Sequence, residues 1–237
     1  MPPINTPVGY QPDKALVLAK AVQAAYKKYN EPDWTLSLGQ FTIFDQYIYV
    51  WELTESVFFG LPAGSSNQYG QVSTSLYDFY TGTDLDTVTS LADSFKAAVS
   101  ALMGNYGTWY LGAHSLGGGI AALGALDALV SQSFPHSEAI PQIYTFGGLN
   151  SGDSDLANSI YQSGIVDYYR VVNLADWVPC FTGISADTPG YQQPGEEYSF
   201  LWNTGHDWGN HSLDTIYLRT VEEFPSVIKW GIRDYPQ

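Results

Sequence analysis

A serine at a sharp bend is the first place in this chain where chemistry can be read. Residues 108–130, TWYLGAHSLGGGIAALGALDALV, pass from the apolar run Trp109-Tyr110-Leu111 through Ala113-His114-Ser115-Leu116-Gly117 into a stretch rich in Ala, Leu and Gly. The first part suits a buried strand and the last a buried helix. A serine at that junction stands on a tight strand-to-helix turn. Its hydroxyl is raised above the sheet, and the free N–H groups of the helix are aimed at the same spot. Small residues are needed where the two backbones pass, and Gly117, Gly118, Gly119, Ala121, Ala122, Gly124 and Ala125 supply them. The pattern is a nucleophile elbow, G-x-S-x-G, with Ala113 in its first position. The plain structural use of such a serine is to cap a helix. The apolar run before it, the glycine run after it and the partners downstream favour the nucleophile.

A serine hydroxyl attacks poorly unless a base takes its proton, and the base must be held in one tautomer by an acid. On a strand-turn-helix elbow the partners follow in the order acid, then histidine. Functional groups on parallel sheets gather beyond the carboxyl ends of the strands. Asp176 fits the acid, because it follows the apolar run at residues 169–174. Asp167 precedes that strand, and Asp153 and Asp155 have the look of helix-start residues. Among the four histidines, His114 adjoins the serine and its ring must leave the turn in another direction. His136 comes before Asp176. His206 and His211 both satisfy the order. His211 is favoured, because Leu213, Ile216 and Tyr217 follow it at spacings that anchor a helix. Two N–H donors are needed for the developing oxyanion. Leu116 supplies one. The other belongs to the loop at residues 60–64, where Pro62 has no N–H to give; Leu61 is expected, with Ala63 the alternative. Asp207 and His211 lie close in sequence but have no third ligand at a metal-binding spacing. Neither a metal nor a cofactor is expected.

The elements that must position these groups follow from periodicity. Residues 14–29 read as a helix, and residues 41–44, 47–53 and 56–61 as strands, the last two forming a hairpin. Residues 65–83 read as a polar loop. Residues 84–103 read as a helix, 140–146 as a strand, 153–162 as a helix, 166–174 as a strand, 198–202 as a strand and 211–224 as a closing helix. Alternation of strand and helix from residue 84 onward predicts an α/β fold with a mostly parallel central sheet and helices on both faces. Residues 1–237 read as one domain.

Composition narrows the partners. The chain has 24 acidic and 9 basic residues, a net charge of −15, which argues against nucleic acid and anionic membrane surfaces. No run of about twenty apolar residues exists, so no membrane span is expected. One cysteine, Cys180, permits no internal disulfide. The first residues lack a basic stretch followed by an apolar one, which favours a cytoplasmic protein over a secreted one.

Three blocks resemble the class 3 lipases, the family of fungal triacylglycerol lipases and related feruloyl esterases. Ala113-His114-Ser115-Leu116-Gly117-Gly118 is similar to the family's GHSLGG elbow. Tyr144-Thr145-Phe146-Gly147 is similar to its TFG strand end. Residues 170–179, RVVNLADWVP, are similar to its RVVN-x-x-D-x-VP segment. Residues 211–218, HSLDTIYL, also resemble the family's final histidine segment. The resemblance implies an α/β-hydrolase fold with Ser115 as nucleophile, Asp176 as acid and His211 as base. It also implies a lipid-type ester as the small-molecule substrate, with transient contact to lipid surfaces. The chain departs from the family at residues 57–62, where Gly60-Leu61-Pro62 stands in place of an F-R-G-[ST]-like strand end. The polar character of residues 65–83 predicts soluble or short-chain esters over emulsions. An aryl or feruloyl esterase, and a scaffold without activity, are the competing readings.

Overall fold

The computed structural model describes residues 9–30, 65–67, 70–82, 90–106, 109–131, 140–180 and 190–230. The strands expected before residue 65, and Leu61 and Ala63 with them, lie outside the described residues. So does His136.

Helix α1 (Pro12–Asn30) comes first. It begins on proline, whose missing N–H costs nothing at a first turn, and carries Asp13 where the helix dipole favours an anion. Strands β1 (Ser65–Asn67) and β2 (Gly70–Val72) form an antiparallel hairpin. Then follow α2 (Thr74–Thr81), α3 (Leu91–Tyr106), β3 (Tyr110–His114), α4 (Leu116–Ser131) and β4 (Gln142–Phe146). The order continues with α5 (Ser154–Ser163), β5 (Asp167–Asn173), β6 (Glu196–Phe200) and α6 (Asp207–Asn210). A π-helical segment (Leu213–Leu218), α7 (Arg219–Glu223) and β7 (Lys229–Trp230) close it.

The main sheet has the order β3-β4-β5-β6-β7. The first four strands are parallel and β7 is antiparallel to β6. Alternate residues of each strand point to opposite faces, so the sheet divides the interior in two. Tyr144, Phe146, Tyr169 and Val171 face α1, the π segment and α7. Ile143 and Tyr168 face the other core, with Leu123 and Leu126 of α4 and Leu156 and Ile160 of α5. Helix α4 is apolar nearly all round, because it is covered on every side. Helix α5 is set by its ends. The Asp153 carboxylate accepts from the Leu156 N–H at 2.9 Å, and Gly164 takes the left-handed conformation that ends the helix.

Residues 65–83 are not the polar loop the sequence suggests. They hold a short hairpin and α2, whose Leu76 and Tyr80 are buried against the core four residues apart. A helix of 8 residues gives too few turns for its stripe to stand out among Ser, Thr and Tyr. The closing helix is also different. It is three pieces, with His211 ending α6 rather than starting a helix.

The glycine run after the elbow is not uniform in purpose. A Cβ on Gly118 would sit 2.5 Å from Gly148 Cα, and one on Gly119 would sit 2.9 Å from Leu76 Cδ1. A Cβ on Gly117 would meet only Ala113 Cβ, at 3.7 Å, an ordinary contact. Gly118→Ala therefore forces backbone against backbone. We expect a loss of about 1–3 kcal/mol in urea unfolding, typical of overpacking, whereas Gly117→Ala should cost less than half as much.

Candidate active site

Ser115 lies between β3 and α4 with φ +58°, the only left-handed residue other than glycine among the described residues. Such a conformation in a residue with a Cβ persists only where neighbours over-determine it. Here they do. The Ser115 N–H donates to the Phe146 carbonyl at 3.2 Å, and the Ser115 carbonyl accepts from Gly118 N–H and Leu149 N–H, both at 2.9 Å. The bend is thus tied to the end of β4 and beyond. Leu116 is the first residue of α4, where a backbone N–H has no partner within the helix. Its side chain is buried in the core.

Asp176 lies in the turn after β5 and is 1% exposed. Its backbone N–H donates to the Asn173 carbonyl at 2.9 Å. Its Oδ1 accepts from Val178 N–H at 3.0 Å, while Oδ2 accepts from the Tyr217 hydroxyl at 2.6 Å and from His211 Nδ1–H at 2.7 Å. A buried carboxylate with three donors is fixed in orientation and compensated for leaving water. Tyr217 is itself held, accepting from Asn173 N–H at 3.2 Å. In the π segment, Ile216 N–H and Tyr217 N–H both donate to the Ser212 carbonyl. That widened turn buries Ile216, Tyr217 and Leu218 in succession.

Strand β4 lies between β3 and β5, so the serine and acid positions are separated by two strand spacings, roughly 10 Å. Imidazole fills that gap. His211 Nδ1 faces the carboxylate, which can only accept, so Nδ1 carries the proton. The bare Nε2 accepts from the Ser115 hydroxyl at 2.7 Å. Room for this line comes from Gly147, at the end of β4. Its φ is +56°, and a Cβ there would meet Asp176 Oδ2 at 2.9 Å and the Tyr217 hydroxyl at 2.8 Å.

The loops carrying acid and base are knotted by two buried asparagines. Asn173 Nδ2 donates to the carbonyls of Trp202 and Asn210, and its Oδ1 accepts from the Trp202 and Ala175 N–H groups. Asn210 Nδ2 donates in return to the Ala175 carbonyl at 3.1 Å. His206, the other histidine that suited the base, is exposed at the start of α6.

His114 adjoins the serine in sequence, and its ring meets the site from behind. Its ring stacks on that of His211 at 4.6 Å, tilted by 28°. Burial holds its pKa well below the usual histidine value, and the neighbouring His211 lowers it further. Tyr217 and His114 both escape a reading by chain order, because their partners are fixed only by how α1 and the π segment pack on the sheet.

The arrangement is a line from hydroxyl through imidazole to carboxylate, 2.7 Å at each link. It can take the proton of Ser115 as its oxygen attacks and stabilise the imidazolium that results.

A lipase from Rhizomucor miehei, solved in complex with its propeptide, shares the fold, with a TM-score of 0.56 at 19% identity over 79% of this chain and 68% of that one. Lipase II from Rhizopus niveus is 20% identical over 61% of this chain, with a TM-score of 0.48. A triacylglycerol lipase described as having a serine-protease triad at its catalytic centre is 27% identical over 62%, with a TM-score of 0.45. The chain spans about half the length of these last two lipases, 52% of each. No curated protein matches the sequence. The family model for lipase (class 3) matches residues 50–186, more than half of the chain. With the elbow at Ser115 and the acid turn at Asp176 both inside that match, the chain belongs to the class 3 lipase family.

Proposed function

We propose that this protein hydrolyses lipid-type carboxylic esters, acylglycerols in particular, through an acyl-serine intermediate, and that residues 1–237 act as one domain. The observation that carries the reading is the unbroken line Ser115 Oγ, His211, Asp176 Oδ2. Ser115 Oγ attacks the ester carbonyl carbon while its proton passes to His211 Nε2. The tetrahedral intermediate collapses, and the alcohol leaves with that proton. Water then repeats the sequence on the acyl-serine, and the carboxylic acid departs. In this reading Leu116 N–H holds the oxyanion, together with a second donor expected from the loop at residues 60–64, Leu61 or else Ala63.

Apolar surface beside the reacting atoms supports an ester with an apolar part. Trp208 is half exposed, with its ring 6.2 Å from that of His211 and edge-on to Trp177 at 5.3 Å. Leu201, on the loop leading to His211, is exposed as well. This surface suits transient contact with lipid. The same tryptophan pair suits an aryl group, which keeps a feruloyl-type ester as the second reading. Val72, Leu76 and Tyr80 are fixed in the core, so no cover over the site is built from them. The polar composition of residues 65–83 supports a preference for soluble, short-chain esters.

The test has two arms. A fluorophosphonate should label Ser115 and no other residue; an inert protein identifies a scaffold. A panel of p-nitrophenyl and feruloyl esters then ranks the acyl groups, and tributyrin is followed across its solubility limit. Short-chain esters should lead the panel. A sharp rate increase at the tributyrin interface would refute the preference for soluble substrate.

A further inference from the structure

We propose that His114 is a positioning residue for the base: its imidazole stacks on His211 and its Nε2–H holds the His211 main-chain carbonyl, while the Tyr26 hydroxyl donates to its Nδ1 and holds the ring in place. The proposal rests on the hydrolase reading and extends it to a residue that does not touch the reacting atoms.

His114 ends β3 and is buried. A buried imidazole must satisfy both nitrogens. Nε2 lies 2.9 Å from the His211 carbonyl oxygen, and Nδ1 lies 3.0 Å from the Tyr26 hydroxyl. A carbonyl can only accept, so Nε2 carries the hydrogen. In the neutral ring Nδ1 is then bare and accepts from Tyr26. The opposite tautomer would set a lone pair against the His211 carbonyl, so that carbonyl selects the form that grips residue 211, and the Tyr26 hydroxyl, which can donate, satisfies the nitrogen left bare. The stack at 4.6 Å adds a flat wall behind the base. Residue 211 is thereby held on two sides: its side chain by Asp176 and Ser115, its main chain and ring face by His114.

Charge makes the same demand. When His211 takes the serine proton it becomes a cation. A second cation stacked against it would oppose that step. The groups facing His114 are the Tyr26 hydroxyl from α1, the edge of the Tyr217 ring from the π segment at 5.8 Å, and His211 itself. Asp176, the carboxylate at this centre, has Oδ2 committed to His211 and Tyr217. Both nitrogens of His114 are taken by uncharged groups, and burial disfavours its protonation. The wall behind the base therefore stays neutral while the base itself charges.

The experiment compares wild type with His114→Phe, His114→Gln and Tyr26→Phe in the full chain. It reads the rate of fluorophosphonate labelling, kcat and KM for p-nitrophenyl butyrate, and Tm. His114→Phe keeps a ring for stacking and loses the donor. It should lower kcat and the labelling rate together by roughly ten-fold, as a loosened base does, with KM unchanged. His114→Gln restores a donor and should recover most of the rate. Tyr26→Phe should fall in the same direction by a smaller factor, and decides the matter if His114→Phe does not fold. A reactive wild type whose His114→Phe and Tyr26→Phe variants label and turn over as fast overturns this role alone. So does equal loss in His114→Phe and His114→Gln that simply follows Tm. A wild type untouched by the fluorophosphonate overturns the hydrolase reading, and the positioning role falls with it.

Discussion

Ser115→Gly is expected to abolish ester hydrolysis and, at the same time, to leave the protein no less stable. The kcat loss should be on the order of 10⁴ to 10⁶, as when the attacking group of a serine hydrolase is removed. His211→Ala should be about as damaging, and the double variant little worse than either single one, because the groups act as one unit. The stability expectation comes from the backbone. Ser115 has φ +58°, a conformation that costs a residue with a Cβ about 1–2 kcal/mol. Glycine escapes that cost but has more freedom to lose on folding, about 0.5–1 kcal/mol. The balance is a gain of up to about 1.5 kcal/mol, at roughly 2–4 °C in Tm per kcal/mol for a chain of this size. Ser115→Ala, which keeps the Cβ, should show the same kinetic loss without the gain. A Ser115→Gly variant that melts well below Ser115→Ala would mean that the bend is not strained.

Asp176→Asn should cost about 10⁴-fold in kcat with KM changed little, since a misheld imidazole harms the transition state and spares binding. The geometry gives the reason. Three donors converge on the two carboxylate oxygens: Val178 N–H, the Tyr217 hydroxyl and His211 Nδ1–H. An amide has one oxygen and an NH₂ group, so at least one of those donors would face another donor. The imidazole can relieve this by moving its proton to Nε2, and the nitrogen facing Ser115 is then no longer a base. The buried mismatch should also cost about 1–3 kcal/mol. Steady-state kinetics and urea unfolding on one preparation separate the two effects. Full activity with normal stability would show that the carboxylate does not set the tautomer.

The parts of the site that were legible in the sequence are those governed by chain order and strand ends. Ser115 follows β3 and Asp176 follows β5, so a rule about carboxyl ends brings them together; the same rule leaves His206 and His211 equal, and the helix start that favours His211 in the sequence is absent, since His211 ends α6. Periodicity likewise located α1, α4, α5 and the central strands to within a few residues. What escaped was decided by contacts between distant elements. Tyr217 reads as one more apolar anchor, yet its hydroxyl reaches Asp176, 41 positions away. His114 reads as an incidental neighbour of Ser115, because nothing local reveals that α1 brings Tyr26 to its far nitrogen. The segment from residue 65 to 83 misled for a different reason: polar composition outweighed a brief helical stripe. Gly117 and Gly118 stand side by side in one run, and only the approach of Gly148 distinguishes the one whose hydrogen cannot be replaced.

The described strands of the main sheet stand side by side in the order in which they occur along the chain. A growing polypeptide can therefore lay each of these ribbons against the one just finished. The imidazole is made after the fourth of them, so serine and carboxylate stay unconnected until translation passes residue 211.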